Sequence, residues 1–412
     1  MNSKRLCVLL ATSVALLSLS GTARADDACA TLKEAYASRA QGKIPRLPDA
    51  RELSAKFAAC HLQLTGQPAQ SPTQNAGGGT FTTFDVPGSG SNPLSPNPTA
   101  INPAGAITGD YFDADNLIHS FLRTPDGAVN TFDPPGATCG VSTQNACSRP
   151  AGINPAGVIT GGYSENNGFH GFLRAPNGTF TTFDPPGGSA PNFTIPSGIN
   201  PAGTVAGSYA GTGFLFHGFL RLSNGVYTTF DPPGSNDIFA NGINPGGSIT
   251  GYYSDADNLT HGFVRSVNGN IVTFDSPVGT FFTPFPPLSP AINGAGVVTG
   301  SYGDAIGPTG NIHGFLRAPD GTFTTIDAPG DNYGTFVTGV DSAGDITGFY
   351  IPADFSAQHG FVRTRQGTFI TFDPPGSGYT TPTAINESGT ITGVYCDTTD
   401  LVCHGFVWTQ HP

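Results

Sequence analysis

The sequence predicts an all-β fold: a seven-bladed β-propeller of four-stranded blades, closed by the N-terminal strand pairing in the C-terminal blade and preceded by a small helical hairpin. Three observations lead there. The 412 residues include 57 Gly and 36 Pro, the two poorest residues in a helix interior. Thirty Phe within 37% hydrophobic content supply a core that a disordered chain lacks. From Gly79 onward one unit recurs seven times, at the roughly 40–50-residue period of a propeller blade.

Residues 1–25 read as a signal peptide: Lys4 and Arg5, an apolar run from Leu6 to Leu19, and an A-x-A cleavage pattern at Ala23-Arg24-Ala25. That run is shorter than the ~20 residues needed to cross a bilayer, and no later segment reaches that length, so no membrane span is expected. The mature protein is predicted to be secreted or periplasmic. Processing removes Lys4, Arg5 and Arg24, leaving 14 of the 17 basic residues against all 29 acidic ones. Nucleic acid is excluded as a partner, because phosphate contacts need a basic face.

Cys29, Cys60, Cys139, Cys147, Cys396 and Cys403 remain after cleavage, an even number in an oxidising compartment, which reads as three disulfides. Six cysteines allow many pairings, and closeness in sequence favours 29–60, 139–147 and 396–403. A metal site lacks C-x-x-C spacing. Residues 26–64 are Ala-rich, hold Lys33, Arg39, Lys43, Arg46, Arg51 and Lys56, and read as two helices broken near Pro45 and Pro48 and tied by Cys29–Cys60. Residues 65–78 form a flexible Pro/Gln/Ser/Gly linker. The propeller spans 79–412 and holds no lysine, so its surface polarity rests mostly on Asp, Asn, Ser and Thr.

Each unit reads T-F-T-T-F-D-P-P-G, a variable stretch, G-I-N-P-A-G-x-I-T-G-x-Y, a second variable stretch, and H-G-F-L-R-x-P-N-G. In the second unit the strands are expected at Ile153-Asn154, Ile159 to Tyr163, His170 to Arg174 and Phe180 to Asp184. Asn154-Pro155-Ala156-Gly157 and Pro176-Asn177-Gly178 carry the signature of three-residue hairpins. These motifs resemble the extracellular HAF-repeat family, whose His-Ala-Phe is here His-Gly-Phe in six units and His119-Ser120-Phe121 in the first. The resemblance covers Gly79 to Trp408. It implies bacterial export and a propeller-like repeat, and brings no established activity with it.

With Pro176-Asn177-Gly178 as the loop, Ala175 faces Thr179, and pairs step outward until His170 meets Asp184. The same offset of fourteen pairs His119 with Asp133, His217 with Asp231, His261 with Asp275, His313 with Asp327 and His359 with Asp373. Asp85 lacks an upstream histidine and His404 lacks a downstream aspartate. One surplus strand therefore matches one missing strand, and Asp85 is expected to meet His404 where the ring closes. Gly171 faces Phe183, which can lie over it. Arg123, Arg174, Arg221, Arg265, Arg317 and Arg363 recur beside turns, and each is expected to stack on its own blade, Arg174 on Phe180 for example. Seven equivalent His–Asp pairs cannot converge on one substrate. They read as structural hydrogen-bonded pairs, with no catalytic residue assigned.

Both variable stretches emerge on one rim, and loops on a rigid scaffold commonly carry recognition. The candidate ligand-binding residues there are Phe281, Phe282 and Phe285, with Phe193, Phe239, Tyr333, Phe336 and Tyr379 in corresponding connections. Such rings suit a glycan or protein partner, or else wedge between blades. Asp113-Ala114-Asp115-Asn116 and Asp255-Ala256-Asp257-Asn258 offer alternating oxygen ligands, making Asp113, Asp115, Asp255 and Asp257 the candidates for Ca²⁺. Solvated turns use the same residues. No other cofactor is expected. The leading reading is an exported, monomeric, non-catalytic propeller binding a glycan or protein. The alternatives are a polysaccharide-acting hydrolase or lyase, and a structural envelope-associated module.

Overall fold

The computed structural model describes residues 78–410 apart from 91–94, 140–145, 190–191, 278–289, 304–310, 332–333, 353–356 and 398–401. The signal peptide, the helical hairpin, its Cys29–Cys60 bridge and all of the linker but Gly78 lie outside the described residues. What is described is all-β, with one 3-10 turn at Thr212–Phe214. No helix among the described residues is long and apolar enough to cross a membrane.

Strand β1 (Gly79–Phe84) is followed by β2 (Asn97–Ile101), β3 (Ile107–Phe112), β4 (Ile118–Arg123) and β5 (Val129–Phe132), the last four forming an antiparallel sheet in chain order. Strands β6 (Ser148–Ile153), β7 (Ile159–Glu165), β8 (Gly168–Arg174) and β9 (Phe180–Phe183) repeat this arrangement. So do β10 to β13 within residues 194–230 and β14 to β17 within 237–274. Strands β18 to β21 (within 291–326) and β22 to β25 (within 334–372) are joined into one sheet by a single parallel bridge, Ile312 to Gly334. The last sheet holds β26 (Ser377–Ile385), β27 (Ile391–Asp397) and β28 (Cys403–Gln410), with β1 antiparallel on its outer edge from Gly79–Gln410 to Phe84–Gly405.

Local chemistry dictates the hairpins. The Ala175 amide donates to Thr179 O at 2.8 Å and the Gly178 amide to Ala175 O at 2.9 Å, with Gly178 at φ +88°, a left-handed position that glycine takes without steric cost. This register sets Gly171 against Phe183. A Cβ on Gly171 would lie 2.4 Å from the Phe183 ring, so only glycine admits that cover. The core lies between sheets: Ile159 and Phe172, both fully buried, pack with Leu122 and Phe132 of the preceding sheet. Each sheet is thus covered on both faces, and burying one such side chain is worth about 1.5–3 kcal/mol.

Two expectations are corrected. The first strand of the second unit begins at Ser148, not Ile153. Its register shifts between Pro150 and Gly152, and related bulges interrupt β2, β10 (Thr194–Ile199), β14 (Asp237–Ile243), β22 (Gly334–Val340) and β26. Proline and glycine sit at these bulges because the ladder is already broken there, which makes the segment read as loop. Second, the rings under five of the six arginines belong to the neighbouring sheet. Arg174 does pair with Phe180 across the hairpin, but its guanidinium lies 4.8 Å from the Phe132 ring of the preceding sheet. Arg221 lies over Phe183, Arg265 over Phe230, Arg317 over Phe274, and Arg123 over Phe84 of β1. Arg174 and Phe180 leave the same face of their sheet side by side, so the guanidinium reaches across to a ring of the sheet packed against that face.

Candidate functional site

Antiparallel order places the end of the second strand, the start of the third and the end of the fourth at one rim of each sheet. Three polar residues meet there in every unit. Histidine Nδ1 lies within 2.6–3.0 Å of its aspartate: His119 to Asp133, His170 to Asp184, His217 to Asp231, His261 to Asp275, His313 to Asp327, His359 to Asp373 and His404 to Asp85. A tyrosine from the second strand lies beside each imidazole, Tyr111, Tyr163, Tyr209, Tyr253, Tyr302, Tyr350 and Tyr395 in turn, with ring centroids 5.0–5.6 Å apart. Two of the aspartates also reach the next sheet: Ser148 donates to Asp133 at 2.5 Å and Thr194 to Asp184 at 2.6 Å. Burial pushes the Tyr163 hydroxyl up to about 12, so it stays protonated and donates to Glu165 at 3.0 Å. The carboxylate orients the imidazole and ties the third strand, the fourth strand and the following sheet together.

Two stations differ. His119 Nε2 lies 3.2 Å from Asp113 and His261 Nε2 3.2 Å from Asp255, so each ring is held between two carboxylates. The Asp133 bond raises the His119 pKa, against burial and with help from Asp113. Burial works against the charged form of His261, and the Asp275 and Asp255 bonds outweigh it to leave the pKa raised. The candidate calcium segments are where these second carboxylates come from. Asp113 Oδ1 accepts the amides of Asp115 and Leu117, and Asp255 Oδ1 those of Asp257 and Leu259. Asn116 and Asn258 complete the turns at φ 59° and 61°. Asp115 and Asp257 are exposed.

Disulfides Cys139–Cys147 and Cys396–Cys403 are formed, with Cα atoms 4.4 and 4.0 Å apart. Cys147 Sγ lies 3.8 Å from His119 Nε2, but its thiolate is consumed by the bridge and cannot ligate a metal. Two disulfides fit an oxidising, extracellular environment.

The aromatic candidates separate. Phe281, Phe282, Phe285 and Tyr333 lie outside the described residues. Phe239, Phe336 and Tyr379 belong to β14, β22 and β26, not to connections, a second consequence of the early start of each first strand. Phe336 is fully buried and stacks on Phe349 at 4.7 Å, while Phe239 stacks on Tyr252 at 5.0 Å. Tyr379 is 3% exposed, and burial raises its pKa beyond the ordinary range of a phenol. These three rings wedge between strands and sheets. Phe193 is half-buried beside the start of β10 (Thr194–Ile199).

At the opposite rim lies a cavity of about 190 Å³, lined by the Ile-Asn-Pro segments or their equivalents from all seven units, among them Asn102, Asn154, Asn200, Asn293, Asp341 and Asn386. The buried asparagines work in two directions. Each Oδ1 accepts the amide four residues on, as from Ala106 to Asn102 and Val158 to Asn154, both at 2.9 Å. Five of the donors reach the next unit: Asn102 to Asn154 O, Asn154 to Asn200 O, Asn244 to Asn293 O, Asn293 to Asp341 O, and Asn386 back to Asn102 O at 3.0 Å. Sequence reasoning passed over both the tyrosine and this asparagine. Their recurrence at fixed places in T-G-x-Y and G-I-N-P was the available signal.

No protein-family model matches the chain, and no curated protein matches it. Among solved structures, virginiamycin B lyase from Staphylococcus aureus aligns over 80% of this chain and 99% of its own at 12% identity, with a TM-score of 0.50. A streptogramin B lyase aligns over 82% and 100% at 13% identity and 0.47, and the Aleuria aurantia lectin over 74% and 99% at 12% identity and 0.38. At such identity the first of these establishes the fold alone. The chain is a β-propeller.

Proposed function

We propose that this chain is an exported, monomeric, non-catalytic propeller of seven blades, closed where β1 joins β28, that binds a glycan or protein partner through the rim bearing its variable connections. The carrying observation is the recurrence of the His–Asp–Tyr stations: the same three side chains stand in every unit, and the one addition, a second carboxylate, is shared by His119 and His261, so no single station is set apart as a reaction centre. The closed ring is supported by the β1–β28 ladder, the Asp85–His404 contact at 2.7 Å, the Asn386 bond to Asn102, and a cavity wall to which all seven units contribute. Such a ring holds its connections on a scaffold without free sheet edges, and recognition then falls to the loops that vary between units. The purified mature protein is expected to bind members of a glycan array or a protein partner saturably, and changing Phe282 and Phe285 together to alanine should weaken this by about 10-fold or more with the fold intact. Unchanged binding would remove those anchors. Turnover of a polysaccharide panel would replace the non-catalytic reading with the hydrolase or lyase one.

A further inference from the structure

Around the axial cavity the asparagine side chains of five units bond the carbonyl of the following unit, and in the sixth unit Asp341 stands in the asparagine place, 5% exposed. Asp341 Oδ1 accepts the Asp345 amide at 2.8 Å, the bond that Asn293 Oδ1 makes to the Val297 amide at 3.0 Å. Its second oxygen therefore takes the place of the amide nitrogen that, in Asn293 and Asn386, donates to the carbonyl of the following unit. By the same step from unit to unit, the acceptor corresponding to Asp341 would be the Asn386 carbonyl. An ionised carboxylate would set one acceptor against another there.

We propose that Asp341 keeps its proton and, as a neutral carboxylic acid, donates Oδ2–H to the Asn386 carbonyl, and that loss of this proton breaks this one bond between the sixth and seventh units, making a pH-sensitive latch beside the cavity. The surroundings favour the neutral form. Burial raises the Asp341 pKa and the nearby Asp345 carboxylate adds to this, against the backbone amides that bond the ionised form. Asn293 of the preceding unit contributes only a neutral amide, on the Asp341 carbonyl. From the following unit come the Asn386 carbonyl and the exposed Glu387. Arg365 donates its backbone amide to Asp345 at 2.7 Å, and residues 79–412 hold no lysine.

The sign follows from linkage. A carboxyl whose folded pKa exceeds its unfolded one binds more protons in the folded state, so its contribution is present below the unfolded pKa and is lost as pH rises through the folded value. Thermal unfolding of the full mature chain, followed from about pH 4 to about pH 8 in the original and in Asp341→Asn, tests this. Asparagine donates at every pH. The variant should be the more stable by roughly 1–3 °C at the upper end, with the gap closing towards the lower end. Parallel pH profiles, or a variant less stable throughout, would overturn the latch. Carbon-13 NMR of the Asp341 carboxyl gives an independent reading: titration above the ordinary aspartate range is expected, and titration at or below it would overturn the proposal even if the variant folds poorly.

Discussion

An imidazole held between two carboxylates is a weaker acid than one held by a single carboxylate, and the chain contains both kinds on one scaffold. His119 and His261 gain their second partner from Asp113 and Asp255, residues whose other oxygen closes a turn. Both histidines are raised, so their stabilising contribution is complete below the ordinary histidine value near 6.5 and disappears as pH rises through the folded value. Replacing Asp113 with asparagine removes one charge and leaves a group that still closes the turn. Proton NMR of the ring should then show His119 titrating at lower pH than in the original protein, with Asp255→Asn doing the same to His261. An unmoved midpoint would mean that the second carboxylate is idle. The pairing itself was legible, since an offset of fourteen follows from a three-residue hairpin. The second carboxylate was not, because Asp-Ala-Asp-Asn reads as well for a cation as for a turn, and only the backbone path brings Asp113 back over its own histidine.

Between strands, one phenylalanine serves two sheets. Phe183 covers Gly171 in its own sheet and receives the Arg221 guanidinium of the next at 5.1 Å; Phe132 receives Arg174 at 4.8 Å. Arg174 has Nε and Nη1 buried without a hydrogen-bond partner among the described residues, and burial lowers its pKa, so the ring face is the attraction that offsets desolvation. A double-mutant cycle with Arg174→Met and Phe132→Leu should return a coupling of about 0.5–2 kcal/mol in urea unfolding, and the same cycle on Arg174 and Phe180 close to zero. A larger coupling for Phe180 would restore the within-sheet stack. The exceptions obey the same rule. The residue that would receive Arg363 is Ile326, and where the seventh arginine would stand Trp408 stacks on Phe372 at 4.5 Å. Hairpin arithmetic made cross-strand neighbours readable from Gly171, Phe183 and Arg174. It holds no information about which sheet lies against which, and so the arginine partners were assigned one sheet too near. The innermost strands were misread for a different reason: Pro150 and Gly152 lie on a bulge, and a bulge erases the alternation by which a strand is recognised.

For the molecule as a whole, the period and the surplus aspartate of Asp85 were enough to anticipate that the two ends of the repetitive region meet, while the axial bonds were hidden because a buried asparagine and a turn asparagine look alike in sequence. Much of the packing around the last sheet depends on β1. Its Phe84 ring covers Gly405 and lies under Arg123, its Asp85 neighbour meets His404, and its Phe81 packs on Phe372 and Phe406. Trp408, the single tryptophan, is fully buried beside it, with Gly79 against the indole. Deleting residues 79–85 leaves the β28 edge unpaired and Gly405 uncovered. The loss should exceed about 3 kcal/mol, because a ladder and several buried aromatic contacts go together. Tryptophan emission should shift to the red, and the unpaired edge should make the protein self-associate in sedimentation, since a free edge is a template for pairing. If the deleted protein keeps blue emission, sediments as the original does and unfolds at the original temperature, then the stability of the fold does not come from joining β1 to β28.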